Sequence, residues 1–190
     1  MAPIILASAS PRRKQLLEWA EVPFEIMVAN TDESYPEHLP QEEVAMHIAR
    51  EKAWAVQAKV GVERPIIAAD TIVVLGNEII GKPKDRDDAL QILSRLSGQT
   101  HRVITGVCLL HKGGATTFAD TTEVAFHPLT SDQLRFYVDK YQPYDKAGAY
   151  AIQEWIGVVG IKSVKGDFYN VMGLPVSRVV QHLQQLGLLH

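Results

Sequence analysis

The sequence predicts an α/β protein built on a mixed sheet flanked by helices. Two observations carry that reading: strand-length apolar runs alternate with amphipathic stretches of helix length, and short glycine-containing turns join neighbouring strands as hairpins. The chain opens with the apolar run Pro3-Ile4-Ile5-Leu6, a small-residue loop at 7–10, and a helix starting at Pro11 that turns Leu16, Leu17 and Ala20 to one side. Ser10 supplies an N-cap there, and Pro11 suits the first helical turn. Residues 41–60 form a second helix, with Val44, Ala45, Ile48, Ala49, Ala53 and Val56 at helical spacing. The stretch 65–75 is apolar on both faces, as in a central strand, apart from Asp70; Gly76-Asn77 then turns it into Glu78-Ile79-Ile80.

A third helix starts near Asp85, carries Asp87 and Asp88 in its first turn, buries Ala89, Leu93 and Leu96, and stops at Gly98. Residues 103–110 read as a buried strand, linked through Gly113-Gly114 to an alternating strand at 118–126. Thr130-Ser131-Asp132-Gln133 is a capping box opening a helix with Leu134 and Val138 inward. Residues 156–164 and 168–171 read as strands, with Gly166 at the turn between them. The last helix begins at Pro175, packs Val176, Val179, Val180, Leu183 and Leu186, and ends at Gly187.

With 190 residues and 46% hydrophobic composition, residues 1–190 suit one domain, or two closely joined lobes, burying about 70% of the unfolded surface. The lone cysteine, Cys108, rules out an intramolecular disulfide and a cysteine-based zinc site, and points to a reducing, cytoplasmic setting. No apolar run approaches the roughly 18 residues of a membrane span, so neither a membrane partner nor export is expected. A net charge of −3 gives no overall positive field, which argues against nucleic acid as a partner.

Three cations, Arg12, Arg13 and Lys14, stand in the first turn of the first helix, where the macrodipole disfavours them by about 0.3–1 kcal/mol each. The arrangement makes sense if an anion of several charges sits at the small loop with Ser8 and Ser10; the alternative is that the side chains splay into water. The same conflict predicts that truncating Arg12 or Arg13 leaves the stability of the free protein unchanged or higher. Lys52 falls beside the apolar stripe of its helix, either snorkelling to the rim or reaching into a cleft. Asp70 is the best catalytic candidate, since a carboxylate in a buried strand is costly unless paired, hydrogen-bonded or metal-bound; Lys82 and Lys84, which leave the adjoining hairpin, and Arg12, Arg13 and Lys52 are its candidate partners. A structural aspartate bonded to backbone N–H groups is the alternative. Asp32, Glu33 and Asp70 suit a hard cation such as Mg²⁺, although Asp32-Glu33 also reads as a solvated loop. The seven histidines are scattered, and the motifs of P-loop NTPases, Rossmann dehydrogenases, zincins and elbow-type serine hydrolases are absent.

Six ordered motifs resemble one family: Ser8-Ala9-Ser10-Pro11-Arg12-Arg13, Ala69-Asp70-Thr71-Ile72-Val73, Gly81-Lys82-Pro83, the stretch Ser97-Gly98-Gln99-Thr100-His101, the stretch 145–153, and Val171-Met172-Gly173-Leu174-Pro175. They are similar to the Maf-like nucleoside triphosphate pyrophosphatases over about residues 4–186. The resemblance implies an elongated, twisted mixed sheet with two lobes around a central cleft, akin to inosine triphosphatases and often homodimeric. It also implies hydrolysis of a nucleoside triphosphate to monophosphate and pyrophosphate, with Mg²⁺ or Mn²⁺ as cofactor. By the same resemblance Asp70 is the proton acceptor and, with Glu33, a metal ligand. Arg13, Thr71 and Gln153 take substrate-selecting positions, and Ser8, Ser10, Arg12, Lys52 and Lys82 take phosphate-binding ones. Thr71 and Gln153 match the branch acting on dTTP and UTP; a sister branch favouring N7-methylated GTP has glutamine and glutamate at these two positions. Some members are linked to arrest of septum formation. A non-catalytic nucleotide-binding regulator and a cell-division interaction protein are the alternatives from other classes.

Overall fold

The computed structural model describes residues 3–190. Its strands are β1 (Ile4–Leu6), β2 (Phe24–Ile26), β3 (Ile66–Leu75), β4 (Glu78–Ile80), β5 (Thr100–His111), β6 (Gly114–Phe126) and β7 (Ile161–Lys165). They are hydrogen-bonded in the order β2-β1-β3-β5-β6-β7, with β4 on β3. The sheet is mixed: β1 runs parallel to β2 and β3, whereas β4 is antiparallel to β3 and β7 to β6. The helices are α1 (Pro11–Trp19), α2 (Gln41–Val60), α3 (Arg86–Leu96), α4 (Ser131–Tyr141), α5 (Trp155–Gly160), α6 (Phe168–Met172) and α7 (Val176–Gln185), with a 3-10 turn at Ala147–Ala149. No helix among the described residues is long and apolar enough to cross a membrane.

The chain forms two compact units. One comprises the described residues through Thr71 together with Thr105–Asp120 and Gly173–His190; the other comprises Ile72–Ile104 and Thr121–Met172. In the first, α2 lays Ala49, Ala53 and Val56 on Ile5, Ile66, Ala68 and Cys108 of the sheet. The approach is close because β5 carries Gly106, where an added Cβ would stand 2.3 Å from the backbone carbon of Ala45. In the second unit α3 buries Leu93 and Leu96, and α4 buries Leu134, Tyr137 and Val138. Capping agrees with the sequence at three of the predicted starts. Ser10, Asp85 and Thr130 are N-caps whose side chains accept backbone N–H bonds, and Thr130 with Gln133 completes the capping box.

Two predicted strands are corrected. Residues 156–160 belong to α5, and only 161–165 form strand β7. The apolar run is misleading because Val158 is 83% exposed, so no strand face is buried there. Gly157 and Val158 instead donate to the carbonyl of Glu154 as a helix start. Residues 168–171 fall within α6, where the Asp167 carboxylate accepts the N–H groups of Tyr169 (2.8 Å) and Asn170 (3.3 Å). That cap decides for a helical turn against the aromatic and β-branched composition, which favours strand. The edge strand β2, only three residues long, gave no periodic signal.

Candidate active site

At the C-terminal end of β1 the loop 7–10 is held by its own hydroxyls. The Ser10 N–H donates to Ser8 Oγ at 3.2 Å, and Ser10 Oγ accepts the N–H of Arg13 at 3.3 Å. Pro11 occupies the first turn of α1, as its fixed φ favours. Ser8 is buried, while Ser10, Arg12 and Arg13 are partly buried.

Arg13 spends its guanidinium on the protein. Nε donates to the Gly173 carbonyl at 2.7 Å, Nη2 to Thr71 Oγ1 at 3.0 Å, and Nη1 to Ser8 Oγ at 3.3 Å. Burial pushes its pKa down from the ordinary value, and the negative charge of Asp70 acts against that. Gly173 has φ +123°, a conformation that side chains rarely adopt, so the acceptor is presented by a residue that has to be glycine. These bonds set the opposite expectation to the one drawn from the helix dipole: removing this arginine destabilises the free protein. Against the dipole conflict stand three bonds, one of which reaches across 160 residues of sequence.

Behind Thr71 lies a residue that the sequence pattern did not single out. Thr105, fully buried on β5, has its Oγ1 2.8 Å from Thr71 Oγ1. The signal that would have found it is the one that exposed Asp70: a polar side chain within an apolar strand run. Thr71 Oγ1 also lies 3.4 Å from the Gly173 carbonyl.

Asp70 is paired. Its Oδ1 lies 2.8 Å from Lys52 Nζ, and the same ammonium lies 3.0 Å from Glu33 Oε1. The side chains of Lys52 and Asp70 are 18% and 13% exposed, so removing Lys52 leaves a largely desolvated carboxylate, whereas without Asp70 the ammonium still has Glu33. Of the two readings of Lys52, the geometry favours the carboxylates over the solvated rim, and of the cations expected as partners of Asp70 it is Lys52 that pairs with it. Asp32 and Glu33 divide. Asp32 Oδ1 accepts the N–H (3.1 Å) and hydroxyl (2.9 Å) of Ser34, bonds that hold its carboxyl below the usual range. This turn carries Glu33 at φ 54°, an uncommon conformation for a non-glycine residue that turns up at functional sites.

The donor chemistry can be tested against a divalent cation. Two carboxylate oxygens converge on one cationic point, and such hard, oxygen-only donors fit Mg²⁺, which binds through one or two carboxylates and completes its shell with water and substrate phosphate. No group of three His, Cys, Asp or Glu side chains among the described residues forms an all-protein cage.

In the first unit one series of bonds joins Ser10, Ser8, Arg13 and Thr71 and another joins Asp70, Lys52 and Glu33, the two meeting at the adjacent residues Asp70 and Thr71. Lys82 and Gln153 belong to the second unit. Both are exposed, Lys82 just after β4 and Gln153 between the 3-10 turn and α5.

A family model described as Maf-like protein matches residues 3–186. The chain belongs to the Maf-like family. Curated relatives include a dTTP/UTP pyrophosphatase of Bacteroides fragilis, 48% identical over 184 residues that cover 96% of this chain and 95% of that protein. A protein of the same name from Halalkalibacterium halodurans is 50% identical over 187 residues, covering 98% and 97%. Among solved structures, a HAM1 protein from Coxiella burnetii aligns at TM-score 0.46 and 16% identity, covering 66% of this chain and 73% of that one. In this Maf-like chain the small loop, the Asp70-Thr71 pair and Gly173 come from sequence segments far apart, and the Arg13 guanidinium is where they meet.

Proposed function

We propose that this chain hydrolyses dTTP and UTP between the α and β phosphates, yielding the nucleoside monophosphate and pyrophosphate. The observation that carries the reading is the hydrogen bond from Arg13 to Thr71, which joins the anion-favouring start of α1 to the strand position next to Asp70. A phosphate-binding element and a general base are thereby offered side by side. The names of the relatives at 48% and 50% identity support the reaction class and the pyrimidine preference.

In this proposal Ser8, Ser10, Arg12, Lys52 and Lys82 bind phosphate oxygens, each cationic contact being a charge-assisted hydrogen bond. Asp70 and Glu33 hold a divalent metal, which when bound offsets charge on the phosphate oxygens during attack at the α-phosphorus. Asp70 orients the attacking water and takes its proton, a contribution of roughly 10²–10⁴-fold. The bond from Lys52 at 2.8 Å fixes the direction of that carboxylate. Gln153 reads the base: its amide accepts from the N3–H of uracil or thymine while donating to O4, and a cytosine then leaves groups unpaired. The whole of residues 1–190 acts as one Maf-like domain in a reducing cytoplasm, in which the buried Cys108 stays a thiol.

Incubation with each common nucleoside triphosphate, in Mg²⁺ or Mn²⁺, tests the reading. The expected products are pyrophosphate and monophosphate, from UTP and dTTP well ahead of CTP and the purine nucleotides. Orthophosphate with nucleoside diphosphate as the first products overturns it.

A further inference from the structure

We propose that Tyr137 is a positioning residue for pyrimidine selection: its hydroxyl bonds the Ala151 backbone N–H on one side of Gln153 and the Glu154 carboxylate on the other, and so holds the short segment from which the Gln153 side chain extends. The inference rests on the reading of Gln153 as the residue that meets the base.

Tyr137 is fully buried on α4, a helix whose start is locked by the Thr130–Gln133 capping box, and its ring stacks on Tyr141 at 5.1 Å. Its hydroxyl is used in both directions. It donates to Glu154 Oε2 at 2.7 Å and accepts the N–H of Ala151 at 3.1 Å. The two partners lie on either side of Gln153 in the chain. Burial and the neighbouring carboxylate raise the pKa of the phenol, which keeps it a donor.

Glu154 bears a second mark of this role. It is the N-cap residue of α5, yet its side chain makes no capping bond. Its carboxylate is diverted to Tyr137, and its other oxygen lies 3.6 Å from Lys146 Nζ. The remaining neighbours are held as firmly. The Tyr150 hydroxyl bonds His101 Nε2. The Ile152 carbonyl packs on Gly157, where an added Cβ would stand 1.7 Å from that oxygen. Residues 150, 151, 152 and 154 are therefore anchored, and Gln153 projects into solvent from between them. An amide that separates uracil from cytosine has nearly identical ends, so its selectivity depends on being held where only one base finds both bonds. A held segment limits the positions from which that amide reaches the base, and the bound base completes its orientation.

Tyr137→Phe keeps the ring and removes both bonds, and kcat/KM for UTP and CTP is measured in the parent, Tyr137→Phe, Gln153→Ala and double variants. The expected result is a fall of about five- to tenfold in the UTP-to-CTP ratio of Tyr137→Phe, through a higher KM for UTP with kcat changed less than about twofold. In the Gln153→Ala background the same substitution changes the ratio less than about twofold, because the two residues act as one unit. An unchanged ratio in Tyr137→Phe, alongside a lowered one in Gln153→Ala, overturns the inference and leaves the base-selection reading standing. An equal fall in both backgrounds also overturns it. An unchanged ratio in Gln153→Ala removes the base-selection reading and the inference with it. If Tyr137→Phe does not fold, Glu154→Ala carries the same comparison from a partly exposed position; failure of both to fold assigns the pair to stability and overturns the inference.

Discussion

Replacing Arg13 with alanine deletes three hydrogen bonds, to the Gly173 carbonyl at 2.7 Å, to Thr71 at 3.0 Å and to Ser8 at 3.3 Å. A bond from a charged donor contributes roughly 1.5–3 kcal/mol, so the two shorter ones set a gross loss of about 3–6 kcal/mol. Two effects reduce it. Relief of the helix dipole returns about 0.3–1 kcal/mol. Thr71, whose Oγ1 already lies 3.4 Å from the Gly173 carbonyl and 2.8 Å from Thr105, can satisfy part of what the guanidinium leaves behind. A net destabilisation of about 2–3 kcal/mol remains, which for a chain of this size lowers Tm by roughly 4–12 °C. Differential scanning calorimetry of the ligand-free protein reads this directly. Arg13→Lys keeps the charge without the planar fork and should fall between the two. An Arg13→Ala protein melting within about 1 °C of the parent, or above it, refutes the assignment and leaves the dipole conflict as the larger effect.

Other outcomes follow from the same structure. Asp70→Asn preserves volume and should give a folded protein whose pyrophosphate release is down by roughly 10²-fold or more; turnover near that of the parent would make Asp70 structural. Burial lowers the His101 pKa from 6.5 to about 4, so the unfolded chain takes up its proton first as pH falls. Stability attributable to this group is full above pH 6.5, declines by about 3 kcal/mol as pH drops from 6.5 to 4, and is level below that. Denaturant unfolding across that range should show a shallower acid limb in His101→Gln; equal slopes in the two proteins would contradict it.

Much of the scaffold was legible because its signals are local. The Ser10, Asp85 and Thr130 caps act on N–H groups within three residues, and the burial stripe of α2 repeats every three to four, so neither needs distant context. Asp70 was legible for a related reason: an acidic residue within a buried strand run demands a partner whatever the fold. Local composition failed where it carried two meanings. The apolar run at 156–160 and the aromatic run at 168–171 fit a strand as well as a short helix, and the Glu154 carbonyl and the Asp167 cap decided for helix.

The identity of the partners was beyond the sequence. Nothing within a few residues of Lys52 says that its ammonium bridges Asp70 and Glu33 instead of lying on the rim; α2 must first dock on β5 at Gly106 before the stem has a direction. Arg13 makes the point more sharply, since charge and position at a helix N-terminus marked it as a source of instability held in place for a ligand. Its main acceptor is a carbonyl 160 residues away, on a glycine whose positive φ turns that oxygen toward the guanidinium. Capping and periodicity are set by bond geometry along the chain, so the sequence alone determined them. Which charges meet depends on how closely backbones approach, and only the tertiary structure decided that.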